Sequence, residues 1–156
     1  MLERPRTIIL NSPQPWNASK VSKHHYAREL CERGHRVFFL EPPMGKGSLS
    51  PSIVPGPYHR LSIVSYRTFF PYRLKFHARP IFNILMRIQA RAIVAAIGAR
   101  PDIVWDFDNA YQYSDLRAFG ATLNVFHPVD DLPSGAASTK YADVVFSNAQ
   151  RYIDRL

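Results

Sequence analysis

Residues 7–40 read TIILNSPQPWNASKVSKHHYARELCERGHRVFFL, and this stretch decides the fold. The run Thr7–Asn11 is apolar and rich in β-branched residues, which is typical of a buried strand. Residues 16–33 are predicted as a loop and a helix that ends at Gly34, a natural C-terminal cap. A second strand follows at His35–Leu40. Strand, helix and strand within about 35 residues indicate a βαβ unit with parallel strands.

The same alternation continues along the chain. A loop rich in proline and glycine at about 42–58 is predicted as an irregular excursion. Asn17 or Ser19 is the expected N-cap of the first helix. The further strands are predicted at Leu61–Tyr66, Asp102–Phe107, Thr122–Phe126 and Asp143–Phe146, and the further helices at Pro80–Ile97, Tyr111–Phe119 and Asn148–Leu156. The sequence therefore predicts one Rossmann-like α/β domain over 1–156, with a doubly wound, mainly parallel sheet and helices on both faces.

Composition narrows the class of protein. The chain has 156 residues, a net charge of +8 and one cysteine, so an internal disulfide is excluded. The opening MLERPRTIIL has too few apolar residues for a signal-peptide core, and no stretch reaches the roughly 20 apolar residues of a spanning helix. We expect a cytoplasmic protein. No Cys and His cluster has the spacing of a zinc site, so no metal is expected.

The positive charge is concentrated in the middle of the chain. Residues 42–101 contain nine Lys or Arg and no Asp or Glu. This block indicates an anionic partner, such as a membrane surface, a phosphorylated substrate or a nucleic acid. A solvated basic face without a partner is the alternative.

Polar residues follow the predicted strands, where open α/β sheets bind their ligands. The candidates at these strand ends are Ser12, Glu41, Asp108, Asn109, His127, Asp130, Asp131 and Ser147. Together they predict a polar crevice. The same residue types also serve as helix N-caps, so capping is an equal alternative.

Several common phosphate and catalytic motifs do not occur in the sequence. The loop after the first strand reads SPQPWNASK instead of GxGxxG, and neither GxxxxGK[ST], GxSxG nor HExxH is present. We therefore expect no dinucleotide cofactor and no P-loop in this domain.

The quoted stretch resembles the opening of two-domain, B-type glycosyltransferases of the family-4-like group. In that family a helix ending "L…RGH.V" leads to a strand ending ".EPP", as in residues 30–43. RPDIVWDFDNAYQYSDLRAFGATLNVFHPVDDLP is similar to their "PDVVW" strand and later "VDD" segment, and YADVVFSNAQRYIDRL to their "ADLVF.TS" strand and helix. The resemblance covers nearly the whole chain except its proline-rich and basic middle.

The resemblance implies the acceptor-binding half of a sugar-nucleotide-dependent, retaining transferase in cell-envelope or exopolysaccharide synthesis. The acceptor would be a sugar or a lipid-linked hydroxyl. The nucleotide-sugar would bind mainly to a C-terminal domain that this sequence lacks, supplied in cis from a longer protein or in trans as a subunit. We expect this chain alone to have little transferase activity.

Individual residues carry over from the resemblance only in part. His25 matches a histidine of the family's first helix, although its neighbour His24 can replace it. Glu41 matches an acid that accepts sugar hydroxyls, and Asp130 and Asp131 match the "VDD" pair. His127 stands where an acid is common, and it is the one candidate catalytic residue.

The two tryptophans lead to different expectations. Trp16, in the first loop, either stacks on a sugar face or packs onto the following helix as a hydrophobic staple. Trp105, inside a strand, is expected in the core.

The basic segment at about 66–79 interleaves aromatic residues with cations, and the following helix is apolar on most of its circumference, which predicts burial against the sheet. The interleaving suits a peripheral contact with the inner membrane face through Arg67, Arg73, Lys75 and Arg79. Docking against the absent domain is the alternative.

Two further functions stay open besides the transferase. One is a non-catalytic α/β module that binds membrane or polysaccharide. The other is a basic nucleic-acid-binding domain, in which the aromatic residues would stack on bases. We do not expect nucleic acid as a partner.

Overall fold

Seven strands form one sheet in the computed structural model, which describes residues 4–108, 110–128, 139–147, 150 and 154. The strands are β1 (Thr7–Asn11), β2 (Arg36–Leu40), β3 (Ser52–Pro55), β4 (Leu61–Ser65), β5 (Ile103–Asp106), β6 (Leu123–Phe126) and β7 (Val144–Val145). The helices are α1 (Ser22–Glu32), α2 (Leu74–His77) and α3 (Arg79–Ile97), with a 3-10 turn at Leu116–Phe119.

The strand order is β3-β4-β2-β1-β5-β6-β7, and all neighbouring pairs are parallel except β3 with β4. Without the edge strand β3, the order follows the pattern 3-2-1-4-5-6 of doubly wound sheets. The α/β class and the mainly parallel sheet are thereby confirmed, and the topology is compatible with a Rossmann-like fold. From β1 the chain proceeds outward through β2 and β4 on one side, and from β5 through β6 and β7 on the other, so the switch point lies between β1 and β5.

Two hydrophobic cores cover the two faces of the sheet. Successive residues of a strand point to opposite faces, so Ile9 joins the core under α3 while Ile8 and Leu10 join the core under α1. Phe82 of α3 and Ala27 of α1 are fully buried. The expected helices on both faces are therefore present.

The predicted irregular stretch at about 42–58 contains a strand that the sequence analysis missed. Ser52 pairs with Ser65 and Pro55 with Ser62 in an antiparallel ladder, so β3 forms the edge of the sheet. The prolines of this stretch indicated an irregular loop, because Pro has no N–H to donate to a strand ladder. Pro is nevertheless tolerated in a strand at the edge of a sheet, which is where β3 lies.

The prediction of a helix over Tyr111–Phe119 was wrong. Only a 3-10 turn forms at Leu116–Phe119, with the Asp115 carboxylate accepting the backbone N–H of Arg117. The residues before this turn are held by hydrogen bonds to Asp108, described below, which keep them out of a helix. The prediction for Trp105 also needs correction, because its ring is only partly buried and packs beside Tyr26.

Helix α1 begins later than predicted. Its N-cap is Val21 and not Asn17 or Ser19, because the imidazole of His24 accepts the backbone N–H of Val21 at 3.2 Å. The side chain of the third helical residue thus accepts the backbone N–H of the N-cap residue. In a capping box a Glu or Gln at this position makes the same hydrogen bond.

Helix α3 matches the predicted span, and Gly98 ends it in the left-handed conformation with φ of 70°. Among the described residues it is the one helix long and apolar enough to cross a membrane, although a third of that apolar window is buried in the fold. The expectation that its apolar surface packs on the sheet holds for Phe82 and Met86 but fails for Ile84, which is exposed. The predicted final helix at 148–156 lies largely outside the described residues.

Candidate functional site

A cleft of about 240 Å³ opens at the switch point of the sheet, and we call it the switch-point cleft. Its lining comes from the residues that follow three central strands: Pro13 after β1, Pro42 and Pro43 after β2, and Asp108, Ala110 and Gln112 after β5, with Tyr72 closing one side. Ligands of open α/β sheets bind at this place, outside the carboxyl ends of the strands.

Two buried carboxyl groups lie next to each other at this cleft: Asp108, which is part of its lining, and Asp106, which is hydrogen-bonded to the backbone of Asp108. Asp106, the last residue of β5, accepts hydrogen bonds from the Asn11 side-chain amide at 2.8 Å and from the backbone N–H of Asp108 at 2.9 Å. Burial raises the pKa of Asp106 well above its usual range, and the charge of Asp108 raises it further. Both causes disfavour the charged form of Asp106, so its carboxyl group favours the protonated form.

Asp108 is fixed in position by its own loop. Its two carboxylate oxygens accept the backbone N–H groups of Ala110 at 2.8 Å and Gln112 at 2.9 Å. Between them Tyr111 adopts a positive φ of 52°, a strained conformation for a residue with a side chain. Each carboxylate oxygen has a second lone pair, so Asp108 can still accept a hydrogen bond from a ligand in the cleft.

A network of side-chain hydrogen bonds forms the wall beside Asp108. The Gln112 amide donates to the Tyr66 hydroxyl at 2.7 Å, and the Tyr113 hydroxyl donates to the same oxygen at 2.8 Å. The Tyr72 hydroxyl donates to the Gln112 carbonyl at 3.1 Å, and the Lys75 ammonium donates to Tyr72 at 3.3 Å. Burial raises the pKa of Tyr66, so its hydroxyl stays protonated. No sequence pattern indicated this network, because its members are separated by up to 47 residues along the chain.

A second cleft of about 610 Å³ adjoins the first and is here called the outer cleft. The two clefts share Pro43 and Tyr72. The lining of the outer cleft combines apolar side chains, among them Met44, Leu49 and Phe69, with polar groups, and Arg67 is its charged residue. Two clefts of mixed polarity therefore meet at the same edge of the sheet.

The Ser12 hydroxyl makes its hydrogen bonds within its own loop. Its hydroxyl donates to the carbonyl of Gln14 at 2.7 Å and accepts the backbone N–H of Gln14 at 3.1 Å. The side chain is buried, so it shapes the loop after β1 and does not face the cleft.

The Glu41 carboxylate connects the loop after β1 to the sheet through hydrogen bonds. One carboxylate oxygen accepts the backbone N–H of Trp16 at 2.7 Å, and the other accepts the Ser65 hydroxyl at 2.7 Å. The Trp16 ring is buried and packs against His24 and Phe39, with ring centroids 4.8 Å apart in each pair. This burial favours the packing interpretation of Trp16 over stacking on a sugar.

The two neighbouring histidines have different surroundings. His24 accepts the Val21 N–H through Nδ1, so Nε2 carries the proton and donates to the carbonyl of Trp16 at 3.2 Å. Burial lowers the pKa of His24, and Lys23 lowers it further, which keeps this neutral tautomer. His25 is exposed on α1. Of the pair, His24 has the structural role and His25 remains accessible.

His127, the candidate catalytic residue, lies among aromatic rings on the α1 side of the sheet. Its ring centroid is 4.8 Å from Phe107, 5.0 Å from Phe146 and 5.8 Å from Tyr26. Burial lowers its pKa, so the imidazole is neutral, and its buried Nδ1 has no hydrogen-bond partner among the described residues. His127 is not among the described residues that line the two clefts.

The remaining predicted strand-end residues are only partly described. Ser147 follows β7, and its hydroxyl donates to the carbonyl of Pro128 at 3.4 Å. Asn109, Asp130 and Asp131 lie outside the described residues. In the described ranges, no group of three or more His, Cys, Asp or Glu is arranged to hold a metal ion.

No model of a known protein family matches this chain, and no curated protein matches it.

The four predicted membrane-contact cations divide into two pairs. Arg67 and Arg73 are exposed. Lys75 donates to Tyr72, and Arg79 donates to Asn83 and to the carbonyl of Tyr111 while its guanidinium stacks 4.6 Å from the Tyr111 ring centroid. Burial lowers the pKa of both Lys75 and Arg79. These two cations therefore support the wall of the switch-point cleft and are not free to meet a membrane.

Proposed function

We propose that this chain is the acceptor-binding half of a sugar-nucleotide-dependent glycosyltransferase, and that the switch-point cleft holds the acceptor. The observation that carries the proposal is the position of this cleft, with Asp108, Gln112 and Tyr72 in its lining. Carboxylate, amide and phenol groups bind sugar hydroxyls through directional hydrogen bonds, and charged acceptors make the stronger ones.

The loop after β1 supports a sugar over a nucleotide phosphate in this cleft. Residues 12–20 contain two prolines and no glycine, and α1 begins only at Ser22. A pyrophosphate site needs a tight glycine turn whose N–H groups point to the phosphate, directly before a helix N-terminus. This loop offers none of these features, which fits a donor bound mainly by a second domain.

In the proposed reaction the bond between the sugar carbon and the nucleotide phosphate oxygen breaks, the acceptor oxygen forms the new glycosidic bond, and the nucleotide and the hydroxyl proton leave. The role of this chain is to orient that hydroxyl. Asp108, which lies in the lining of the cleft, would accept a hydrogen bond from that hydroxyl. The outer cleft would receive the rest of the acceptor, where Met44, Leu49 and Phe69 offer apolar contacts and Arg67 a positive charge for a lipid-linked one. We propose the cytoplasmic face of a membrane as the place of the reaction.

A bulky side chain placed in the switch-point cleft tests whether sugar binds there. Ala110 is exposed and lines the switch-point cleft, so Ala110→Phe is expected to block it without disturbing the core. Saturation-transfer NMR with methyl glycosides of glucose, galactose, mannose and N-acetylglucosamine measures sugar binding directly. We expect a signal from at least one glycoside in the unmodified chain and its loss in Ala110→Phe.

A pair of matched tyrosine variants makes the test specific. Tyr72→Phe removes the hydroxyl at the cleft, while Tyr58→Phe removes one beside Trp16 in the other core. We expect Tyr72→Phe to weaken sugar binding about fivefold or more, since a hydrogen bond to a charged or polar partner contributes about 1 kcal/mol, and Tyr58→Phe to leave it unchanged. Sugar binding that survives Ala110→Phe, or no binding of any glycoside, would reject the acceptor cleft.

A further inference from the structure

The outer face of α3 is apolar although it faces solvent. Ile81, Ile84 and Ile88 are 54%, 57% and 48% exposed, and Phe76 in the preceding α2 is 74% exposed. Spacings of three and four residues place the three isoleucines on one side of the helix. We call these four residues the outer stripe.

The outer stripe is not part of either core. The opposite side of α3 supplies the buried contacts to the sheet through Phe82, Met86 and Ile93, each at most 1% exposed. A surface helix normally carries polar residues on the side away from the sheet. Helix α3 instead has two apolar faces, and the second one has no partner among the described residues.

Arginines accompany the outer stripe. Arg73 precedes it, and Arg87 and Arg91 run beside it on the exposed surface of α3. Arg87 pairs with Asp115 at 3.3 Å, whereas no ion pair involves Arg73 or Arg91 within the part of the chain that the structure describes. No carboxylate occurs in residues 42–101, so nothing in this block offsets the positive charge.

We propose that the outer stripe and its arginines bind the surface of an anionic lipid bilayer. Apolar side chains would enter the boundary between headgroups and acyl chains, while the guanidinium groups meet lipid phosphates. Because its inner face remains packed on the sheet, α3 lies along the bilayer and does not cross it. This surface differs from the one that the sequence indicated, since Lys75 and Arg79 are occupied inside the fold.

The charge distribution favours lipid over a second copy of this chain. A symmetric dimer through the outer stripe would bring Arg87 and Arg91 of both copies together, and like charges at an interface repel. An anionic bilayer satisfies the apolar and the positive groups at once. The inference does not depend on the acceptor-cleft proposal, because no residue of the outer stripe lines either cleft.

Vesicle sedimentation tests the proposal on the whole 156-residue chain. We expect the chain to sediment with vesicles of phosphatidylcholine and phosphatidylglycerol in equal parts, to sediment much less with phosphatidylcholine alone, and to be released by salt. Failure to sediment with the anionic vesicles would overturn the proposal, and so would equal binding to both kinds of vesicle.

Matched variants locate the contact. Ile84→Glu is expected to lower vesicle binding at least about tenfold, since it replaces an inserted apolar group by a charge that the lipid repels. Val21→Glu makes the same change at an exposed valine beside α1, on the opposite face of the sheet, and is expected to retain binding. Arg91→Gln should weaken binding about fivefold and Arg33→Gln, near the end of α1, should not.

Two results would overturn the assignment of the outer stripe to lipid. Vesicle binding that is equal in Ile84→Glu and Val21→Glu would place the lipid contact elsewhere on the molecule. A dimer in solution that dissociates in Ile84→Glu, with no sedimentation of the unmodified chain, would identify a second copy as the occupant. Circular dichroism of each variant confirms that the fold is retained, as expected for exposed positions.

Discussion

At the scale of single residues, the buried Asp106 makes stability depend on pH. Its pKa is raised by burial and by Asp108, so the folded state holds a proton that the unfolded state loses above a pH of about 4. Stability should therefore fall as pH rises from about 4 toward the raised pKa. Asp106→Asn keeps an acceptor for Asn11 and Asp108 and removes this dependence. We expect it to stabilise the fold by about 1 kcal/mol or more at pH 8, measured by urea unfolding.

Asp102 provides the opposite case as a control. The backbone N–H of Thr7 donates to it at 2.8 Å, and this bond is the main cause of its lowered pKa. Its contribution to stability is present at neutral pH and is lost as pH falls through its lowered pKa. Asp102→Asn should thus destabilise the fold at pH 8. If Asp106→Asn were destabilising to the same extent at pH 8, a charged and not a protonated Asp106 would be indicated.

Single residues also show what sequence reasoning could reach at the site. The position of Asp108 was predictable, because a polar residue after a buried strand lies at the carboxyl edge of the sheet. The roles of Glu41 and Ser12 were not predictable from the sequence. Ser12 bonds to Gln14 in its own loop, and Glu41 accepts hydrogen bonds from Trp16 and Ser65. The hydrogen bond between Gln112 and Tyr66 could not be predicted from a sequence motif, because the two residues are 46 apart along the chain.

At the scale of elements, the end of α3 depends on one backbone conformation. Gly98 has φ of 70°, and a Cβ at this position would meet no atom within 4 Å. Gly98→Ala therefore tests the backbone conformation without a steric clash. We expect the free energy of unfolding to fall by about 1–2 kcal/mol, because a residue with a Cβ is strained in the left-handed region. Urea unfolding of the variant and the unmodified chain measures this difference.

Gly45 is the matched control for this prediction. A Cβ there also meets no atom within 4 Å, but its backbone is not in the left-handed region. Gly45→Ala should change the free energy of unfolding by less than about 1 kcal/mol, with stabilisation as the favoured direction because the unfolded chain loses freedom. Equal losses in both variants would contradict the conformational explanation.

The elements that the sequence predicted well are those with a strong local pattern. The span of α3 was predicted correctly because an apolar run of this length, opened by Pro80 and closed by Gly98, has few alternatives. The orientation of α3 was not predictable, because both of its faces are apolar and periodicity alone does not distinguish the face on the sheet. Strand β3 was missed because its signal is its pairing with β4, a contact that forms only in the folded chain.

At the scale of the whole molecule, the two faces of the sheet have different surroundings. Helix α1 and both tryptophans lie on one face, since Trp16 belongs to the core under α1 and Trp105 packs against it. Helix α3 with the outer stripe covers the other face. If the chain binds lipid through α3, the sheet lies between the bilayer and both tryptophans.

This arrangement predicts which tryptophans a brominated lipid can quench. With anionic vesicles that carry bromine on their acyl chains, the fluorescence of the unmodified chain should stay nearly constant, because quenching needs close contact with the bromine. Ile84→Trp places a third indole in the outer stripe, and its added fluorescence should be strongly quenched and shifted to shorter wavelength as the ring enters an apolar layer. Val21→Trp places the indole beside α1 and should remain unquenched. Quenching of Val21→Trp or of the unmodified chain would mean that the α1 face meets the bilayer. The proposal for the switch-point cleft would be unaffected in that case, since no residue of the outer stripe is part of its lining.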